Sequence, residues 1–141
     1  MLKNFDKNQN YYKFYKRKNI PIVFIHGVGL DHEMWFPQVR SFKYNSILVY
    51  DLLGHGKTPL HKKTVKFEDF SNQLNDLLKY LNINKINLVG FSFGSLVALN
   101  FTKRFQKKVN KLVLISSVYK RNNLEKNNVR ERYKKAKNNI P

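Results

Sequence analysis

The sequence predicts an α/β fold, with a doubly wound, mostly parallel sheet covered by flanking helices. Short apolar runs recur along the chain, each ending at glycine, aspartate or serine, and segments with helical spacing separate them. The chain has 141 residues, of which 42% are hydrophobic, so it can build the core of one domain. Cysteine is absent, which excludes disulfides and thiolate metal sites.

The strands are predicted in chain order. Residues 11–18 interleave aromatic residues with lysine, which indicates an edge strand. Residues 22–25 are an uninterrupted apolar run, as are the central parts of 46–51, 86–92 and 111–117. Such runs are typical of strands that are buried on both faces of a parallel sheet.

The helices are predicted between these strands. From Thr64 to residue 81, apolar residues recur every three or four positions, and Thr64 is the expected N-cap. Residues 95–105 predict a second helix packed on the sheet, and residues 34–42 a shorter one. Residues 119–139 have few large apolar side chains at loosely helical spacing, so they cannot form a core of their own. The alternation of strand and helix predicts right-handed crossovers.

Charge and hydropathy restrict the function. The chain carries 27 basic and 9 acidic residues, and residues 99–141 hold 13 basic and 2 acidic ones. Because the lysines are scattered along the chain, we expect salt-sensitive nonspecific attraction to polyanions and no specific nucleic-acid site. No apolar run reaches the ~18 to 20 residues of a membrane span, and the first ten residues lack the apolar stretch of a signal peptide. We therefore expect a cytoplasmic protein.

The sharpest motif is Gly90-Phe91-Ser92-Phe93-Gly94, which follows a predicted buried strand and opens a predicted helix. This is the setting of a nucleophile elbow, in which a tight turn holds the serine hydroxyl clear of the sheet. A Cβ at position 90 or 94 would collide with the neighbouring strand or helix. The alternative is a glycine-rich turn with an N-capping serine, but the strand–turn–helix context favours Ser92 as a nucleophile.

A second motif, His26-Gly27-Val28-Gly29, directly follows the first buried strand. Glycines at 27 and 29 allow the backbone to approach a bound carbonyl, so the Val28 and Phe93 N–H groups are the expected oxyanion-hole donors. His26 is a candidate general base. A structural imidazole that holds the loop by hydrogen bonds is the favoured interpretation.

A third motif, residues 51–58 (Asp-Leu-Leu-Gly-His-Gly-Lys-Thr), follows the strand at 46–51. Its two glycines predict a tight turn in which Asp51 caps nearby amides. Asp51 and His55 are a conceivable catalytic pair, but turn chemistry explains both.

Together, HGVGLDHEMWFPQV, DLLGHGKT and LVGFSFGSLVALNFTKRF resemble the α/β-hydrolase superfamily over residues 20–117. The resemblance is to the branch of carboxylesterases, 3-oxoadipate enol-lactonases and cofactor-free haloperoxidases. It implies a nucleophile at Ser92, oxyanion donors at Val28 and Phe93, and a structural role for Asp51, Gly54 and Gly56. It also implies a small ester-like substrate, no cofactor and no metal.

One departure from this superfamily is large. Its acid and histidine follow the serine along the chain, whereas every histidine here precedes Ser92 and the only later carboxylates are Glu125 and Glu131. We expect residues 1–118 to be the N-terminal part of a hydrolase core and residues 119–141 a basic helical tail that begins a cap.

The predicted function is therefore a serine hydrolase acting on a carboxylic ester, thioester or lactone, whose triad acid and histidine are missing from this chain. A complementing C-terminal half is the expected partner. The alternative is an inactive fragment or remnant that binds a small acyl ligand or a partner chain. An uncovered sheet edge predicts marginal stability or aggregation.

Overall fold

The computed structural model of the protein describes residues 4–61, 63–118, 120 and 122–138. One sheet contains five strands in the spatial order β1-β3-β2-β4-β5. The strand at one edge, β1, runs antiparallel to β3, and the remaining neighbours are parallel. The strands are β1 (Tyr12–Tyr15), β2 (Ile22–Ile25), β3 (Ile47–Tyr50), β4 (Ile86–Phe91) and β5 (Val109–Ile115). The mostly parallel sheet predicted from the sequence is confirmed.

Four helices accompany the sheet within the described residues: α1 (Phe36–Ser41), α2 (Phe67–Tyr80), α3 (Phe93–Arg104) and α4 (Asn123–Asn138). A 3₁₀ turn (His32–Trp35) leads into α1, and a second one (Gln106–Lys108) leads into β5. The predicted N-cap at Thr64 is wrong, because α2 begins after Lys66. There the Asp69 carboxylate accepts the Lys66 N–H at 2.8 Å. A side chain of the first helical turn thus provides a hydrogen-bond acceptor for the backbone N–H of the N-cap residue.

Side chains of the sheet alternate between two apolar clusters, one on each face. In β2, Val23 and Ile25 point to the face covered by α2 and α3, whereas Phe24 points to the opposite face. There Phe24 packs on Trp35 of the first 3₁₀ turn, with ring centroids 4.8 Å apart. Helices therefore lie on both faces, as the doubly wound prediction requires.

The strand order places the functional loops together. From β2 the chain passes to β3 on one side, and it then returns past β2 to β4 and β5 on the other. The loops after β2 and β4 consequently leave the sheet in opposite directions from adjacent strands. A crevice forms at such a switch point beyond the carboxyl ends of the strands, and it is where ligands bind in doubly wound sheets.

The β5 edge of the sheet is apolar and exposed. Val113 is 50% exposed, and Leu114 and Ile115 are also exposed although they lie in a strand. The tail beyond β5 includes α4, on which Leu124 and Tyr133 are exposed; residues 119, 121 and 139–141 of the predicted tail lie outside the described residues. No helix among the described residues is long and apolar enough to cross a membrane.

Candidate active site

Ser92 occupies the turn between β4 and α3 in a backbone conformation that is rare for a residue with a side chain. Its φ is 51° and its ψ is −116°, and it directly precedes the first helical residue, Phe93. The Ser92 N–H donates to the Ile115 carbonyl at 2.9 Å, which ties the turn to the end of β5. The residue is exposed and stands at the N-terminus of a twelve-residue helix, where the helix dipole favours negative charge.

Close packing explains the two outer glycines of the motif. A Cβ on Gly90 would lie 2.7 Å from the Ser95 Cα and would overlap the Gly94 carbonyl. A Cβ on Gly94 would lie 2.8 Å from the Ile25 carbonyl carbon and would overlap the carbonyl oxygens at the end of β2. The helix therefore sits directly on β2 and β4, which leaves the strained turn no room to relax.

The loop after β2 passes beside this turn. A Cβ on Gly27 would lie 3.4 Å from the Ser92 Cβ and 3.2 Å from the Phe91 ring. Gly29 has a φ of +72°, a conformation that disfavours other residues, and nothing lies within 4 Å of its Cβ position. Val28, between them, is 66% exposed. The Phe93 N–H, as the first of its helix, has no intrahelical acceptor. The assignment of Val28 and Phe93 as oxyanion donors stays a prediction.

His26 holds the loop by hydrogen bonds, in agreement with the favoured interpretation of the sequence. Its side chain is fully buried: Nδ1 donates to the Gly27 carbonyl at 2.8 Å, and Nε2 accepts the Leu52 N–H at 2.9 Å. Burial lowers the pKa of the imidazole. Because Nδ1 donates a hydrogen bond and Nε2 accepts one, the ring is neutral with its proton on Nδ1. Both nitrogens are engaged, so His26 has no free nitrogen with which to activate Ser92.

Asp51 and His55 do not form a catalytic pair. The His55 Nδ1 bonds the Leu53 carbonyl at 3.0 Å, and the buried Asp51 carboxylate bonds His32 instead. One Asp51 oxygen accepts both the backbone N–H of His32 at 2.7 Å and its Nδ1–H at 2.8 Å. The other oxygen accepts the Lys57 N–H at 2.8 Å. Asp51 thus caps amides, as its place in the turn predicts.

The same cluster is the part of the described chain that most resembles a metal site. Asp31, His32 and Asp51 each offer a ligand atom, and these atoms lie within 4.8 Å of one another. However, His32 Nδ1 already bonds Asp51, and an Asp31 oxygen caps the Glu33 N–H at 2.8 Å. A cation would have to break these bonds, so the arrangement fits a hydrogen-bonded clamp better than a metal centre.

His32 is the residue that the sequence analysis missed. It lies in the segment Leu-Asp-His-Glu-Met-Trp between two motifs, where no spacing rule marks it. Its partner is 19 residues away and comes close only because β2 and β3 are adjacent.

A sequence profile described as the alpha/beta hydrolase fold matches residues 20–139, which is most of the chain. The chain belongs to the α/β-hydrolase family. The membership predicted from three motifs is thereby confirmed.

Curated members of the α/β-hydrolase family resemble the chain over part of their length. An (E)-2-((N-methylformamido)methylene)succinate hydrolase of Acinetobacter baylyi is 30% identical over 115 residues, covering 81% of this chain and 44% of that protein. The 3-oxoadipate enol-lactonase 1 of the same organism is 38% identical over 84 residues, covering 58% of this chain and 31% of that protein. The chain thus spans less than half the length of these relatives.

Solved α/β-hydrolase structures give the same picture. A marine microorganism esterase superposes with a TM-score of 0.81 at 21% identity, covering 94% of this chain and 51% of that one. The enol-lactonase of Burkholderia xenovorans superposes with a TM-score of 0.69 at 27% identity, covering 73% and 41%. The first likeness concerns the fold alone.

Proposed function

We propose that this chain supplies the nucleophile and the oxyanion hole of a serine hydrolase that cleaves a carboxylic ester, thioester or lactone by acyl transfer. The observation that carries the proposal is the strained backbone of Ser92 beside Gly27 of the neighbouring loop. Strain of this kind costs about 1–3 kcal/mol and persists where surrounding packing enforces it, which is common at active sites. The name of one relative, an enol-lactonase, supports a small lactone substrate, and that of another, a hydrolase of a succinate derivative, supports hydrolysis of a small molecule.

The reaction begins when a base removes the Ser92 proton and the hydroxyl oxygen attacks the substrate carbonyl carbon. The carbonyl oxygen then carries negative charge, which the N–H groups of Val28 and Phe93 stabilise by hydrogen bonding. As this intermediate collapses, the protonated base returns its proton to the leaving group, which departs as an alcohol, thiol or enol, and the acyl group stays on Ser92. Water, activated by the same base, releases the acid and regenerates the serine.

The base is neither of the two buried histidines. His26 has both ring nitrogens bonded inside the fold, and His32 is buried with Nδ1 bonded to Asp51. No histidine follows Ser92 in the sequence. We therefore assign the base and its acid to a complementing C-terminal polypeptide, with residues 1–118 as the first part of the core and residues 119–141 as the beginning of a cap.

The exposed β5 edge is the place where that polypeptide would join the sheet. Its backbone pairs with β4 on one side, and its apolar side chains at 113–115 are exposed. An added parallel strand would pair with the free edge of β5 and cover part of these side chains. A cytoplasmic location and the lack of a cofactor remain predictions of the sequence.

The test uses a fluorophosphonate probe and p-nitrophenyl acetate on the full chain, alone and with the C-terminal part of a family member that begins after its equivalent of β5. Support requires labelling that grows with the added part, disappears in Ser92→Ala and persists in Ser41→Ala, which removes an exposed hydroxyl elsewhere. The absence of labelling under both conditions would refute the proposal. It would favour the second candidate, a non-catalytic remnant that binds an acyl ligand or a partner chain, since both buried histidines are engaged structurally.

A further inference from the structure

The loop that carries Val28 is tied to the rest of the fold at both of its ends. At its start, the His26 ring bonds the Gly27 carbonyl and the Leu52 N–H. At its end, His32 follows the loop directly and bonds Asp51. Both ties therefore end on the same two-residue segment after β3, which acts as an anchor for the whole loop.

The tie at the end of the loop is a buried bond to a carboxylate. Asp51 is fully buried and His32 is 3% exposed, so water does not compete for either group. The donor is Nδ1–H, because both Asp51 oxygens already accept backbone N–H groups and so act as acceptors. His32 Nε2 lies 4.0 Å from the nearer Glu33 oxygen, beyond hydrogen-bond reach, so Asp51 is the ring's hydrogen-bond partner among the described residues. A hydrogen bond to a carboxylate is stronger than one between two neutral groups.

Between these two ends, residues 28 and 29 make few packing contacts with the rest of the fold. Val28 is 66% exposed, and Gly29 has open space at its Cβ position. A bond from the Leu30 N–H to the Gly27 carbonyl closes the turn on itself at 3.3 Å. The position of the Val28 N–H relative to Ser92 is thus set by the ends of the loop rather than by packing along it.

We propose that His32 is a positioning residue for the oxyanion hole. Its Nδ1–H bond to Asp51 sets the distance from the Val28 N–H to the oxygen that becomes charged when Ser92 attacks. The inference rests on the proposed function, since the oxyanion hole matters only if Ser92 reacts. A displacement of about 1 Å in such a group costs on the order of 10²-fold in rate, because the contact is made in the transition state.

Three substitutions separate this role from simple packing. His32→Asn keeps an N–H donor at the same number of bonds from Cα, whereas His32→Gln fills more of the space but moves the donor one bond outward. His32→Ala removes the side-chain donor and leaves only the bond from the backbone N–H to Asp51. His61→Ala is the matched control, because His61 is exposed and lies outside the loop and its anchor.

Kinetics provides the first readout, measured with p-nitrophenyl acetate under the conditions in which Ser92 is labelled. We expect kcat to fall about 10- to 100-fold in His32→Ala and His32→Gln, with KM within twofold of wild type. His32→Asn should recover kcat to within about threefold. If His32→Gln matches or exceeds His32→Asn, or if the loss appears in KM, His32 merely fills space and the inference is wrong.

The second readout needs no catalysis, so it keeps the inference separate from the proposed function. The ¹⁵N relaxation of the Val28 and Gly29 amides reports the order of the loop in the substrate-free chain. We expect order parameters near 0.85 in wild type and in His32→Asn, and below about 0.6 in His32→Ala and His32→Gln. Unchanged order parameters would overturn the inference, even if Ser92 proved reactive. An unreactive Ser92 with a loosened loop would overturn only the proposed function.

Discussion

The contact between α3 and β2 makes a quantitative prediction for Gly94→Ala. The added methyl would lie 2.8 Å from the Ile25 carbonyl carbon and would overlap the carbonyl oxygens of Ile25 and His26. Ile25 ends β2, which pairs with β3 on one side and with β4 on the other, and His26 follows it directly, so these carbonyls cannot move aside cheaply. Overpacking of this kind costs about 3 kcal/mol, at the upper end of the usual range.

Gly29→Ala is the matched control for this prediction. Nothing lies within 4 Å of its Cβ position, so the added methyl meets only the cost of a φ of +72°, about 1 kcal/mol. Urea unfolding followed by circular dichroism measures both variants, with a slope of about 2 kcal/mol per molar urea. The midpoint should fall by about 1.5 M for Gly94→Ala and by about 0.5 M for Gly29→Ala. Equal shifts in the two variants would show that the turn at Ser92 does not rest on β2.

Three further predictions follow from the same geometry. Ser92→Gly should raise the unfolding free energy by about 1 kcal/mol, because glycine relieves the positive φ, while Ser92→Ala should not; equal stability would mean that the turn is unstrained. Burial lowers the pKa of His26 below its ordinary 6.5, so its contribution to stability is present above that pH and is lost as the pH falls below it. Thermal melts should show this fall, by at most about 1.4 kcal/mol per pH unit, and His26→Gln should flatten it; an equally steep profile in that variant would exclude His26 as the source. Val113→Lys, at a half-exposed position of β5, should reduce concentration-dependent association on size exclusion, and a wild-type chain that melts cooperatively as a monomer would contradict the predicted edge liability.

Local patterns predicted much of this fold. The apolar runs of β2 and β3 are almost wholly buried and therefore lack polar interruptions, which made them recognisable. The glycines at 90 and 94 marked the turn at Ser92, because close backbone approach admits no side chain there. The apolar runs are visible from residues that are neighbours in the sequence. The glycines are visible because a side chain does not fit where two backbone segments are in close contact.

The features that the sequence did not reveal depend on tertiary placement. The bond between His32 and Asp51 spans 19 residues and exists only because β2 and β3 are adjacent. The start of α2 was misplaced for a related reason. Thr64 is a good N-cap by residue type, but the Asp69 carboxylate satisfies the Lys66 N–H from within the helix and fixes the boundary there. Competing caps of similar strength are decided by packing, which residue type alone does not encode.

A crystal structure of the chain after reaction with a fluorophosphonate, in the presence of its complementing polypeptide, tests the central claim most directly. The account predicts phosphorus bonded to Ser92 Oγ, with one phosphonyl oxygen about 2.7–3.1 Å from the backbone nitrogens of both Val28 and Phe93. An adduct on another residue, or a phosphonyl oxygen turned away from those two amides, would contradict it.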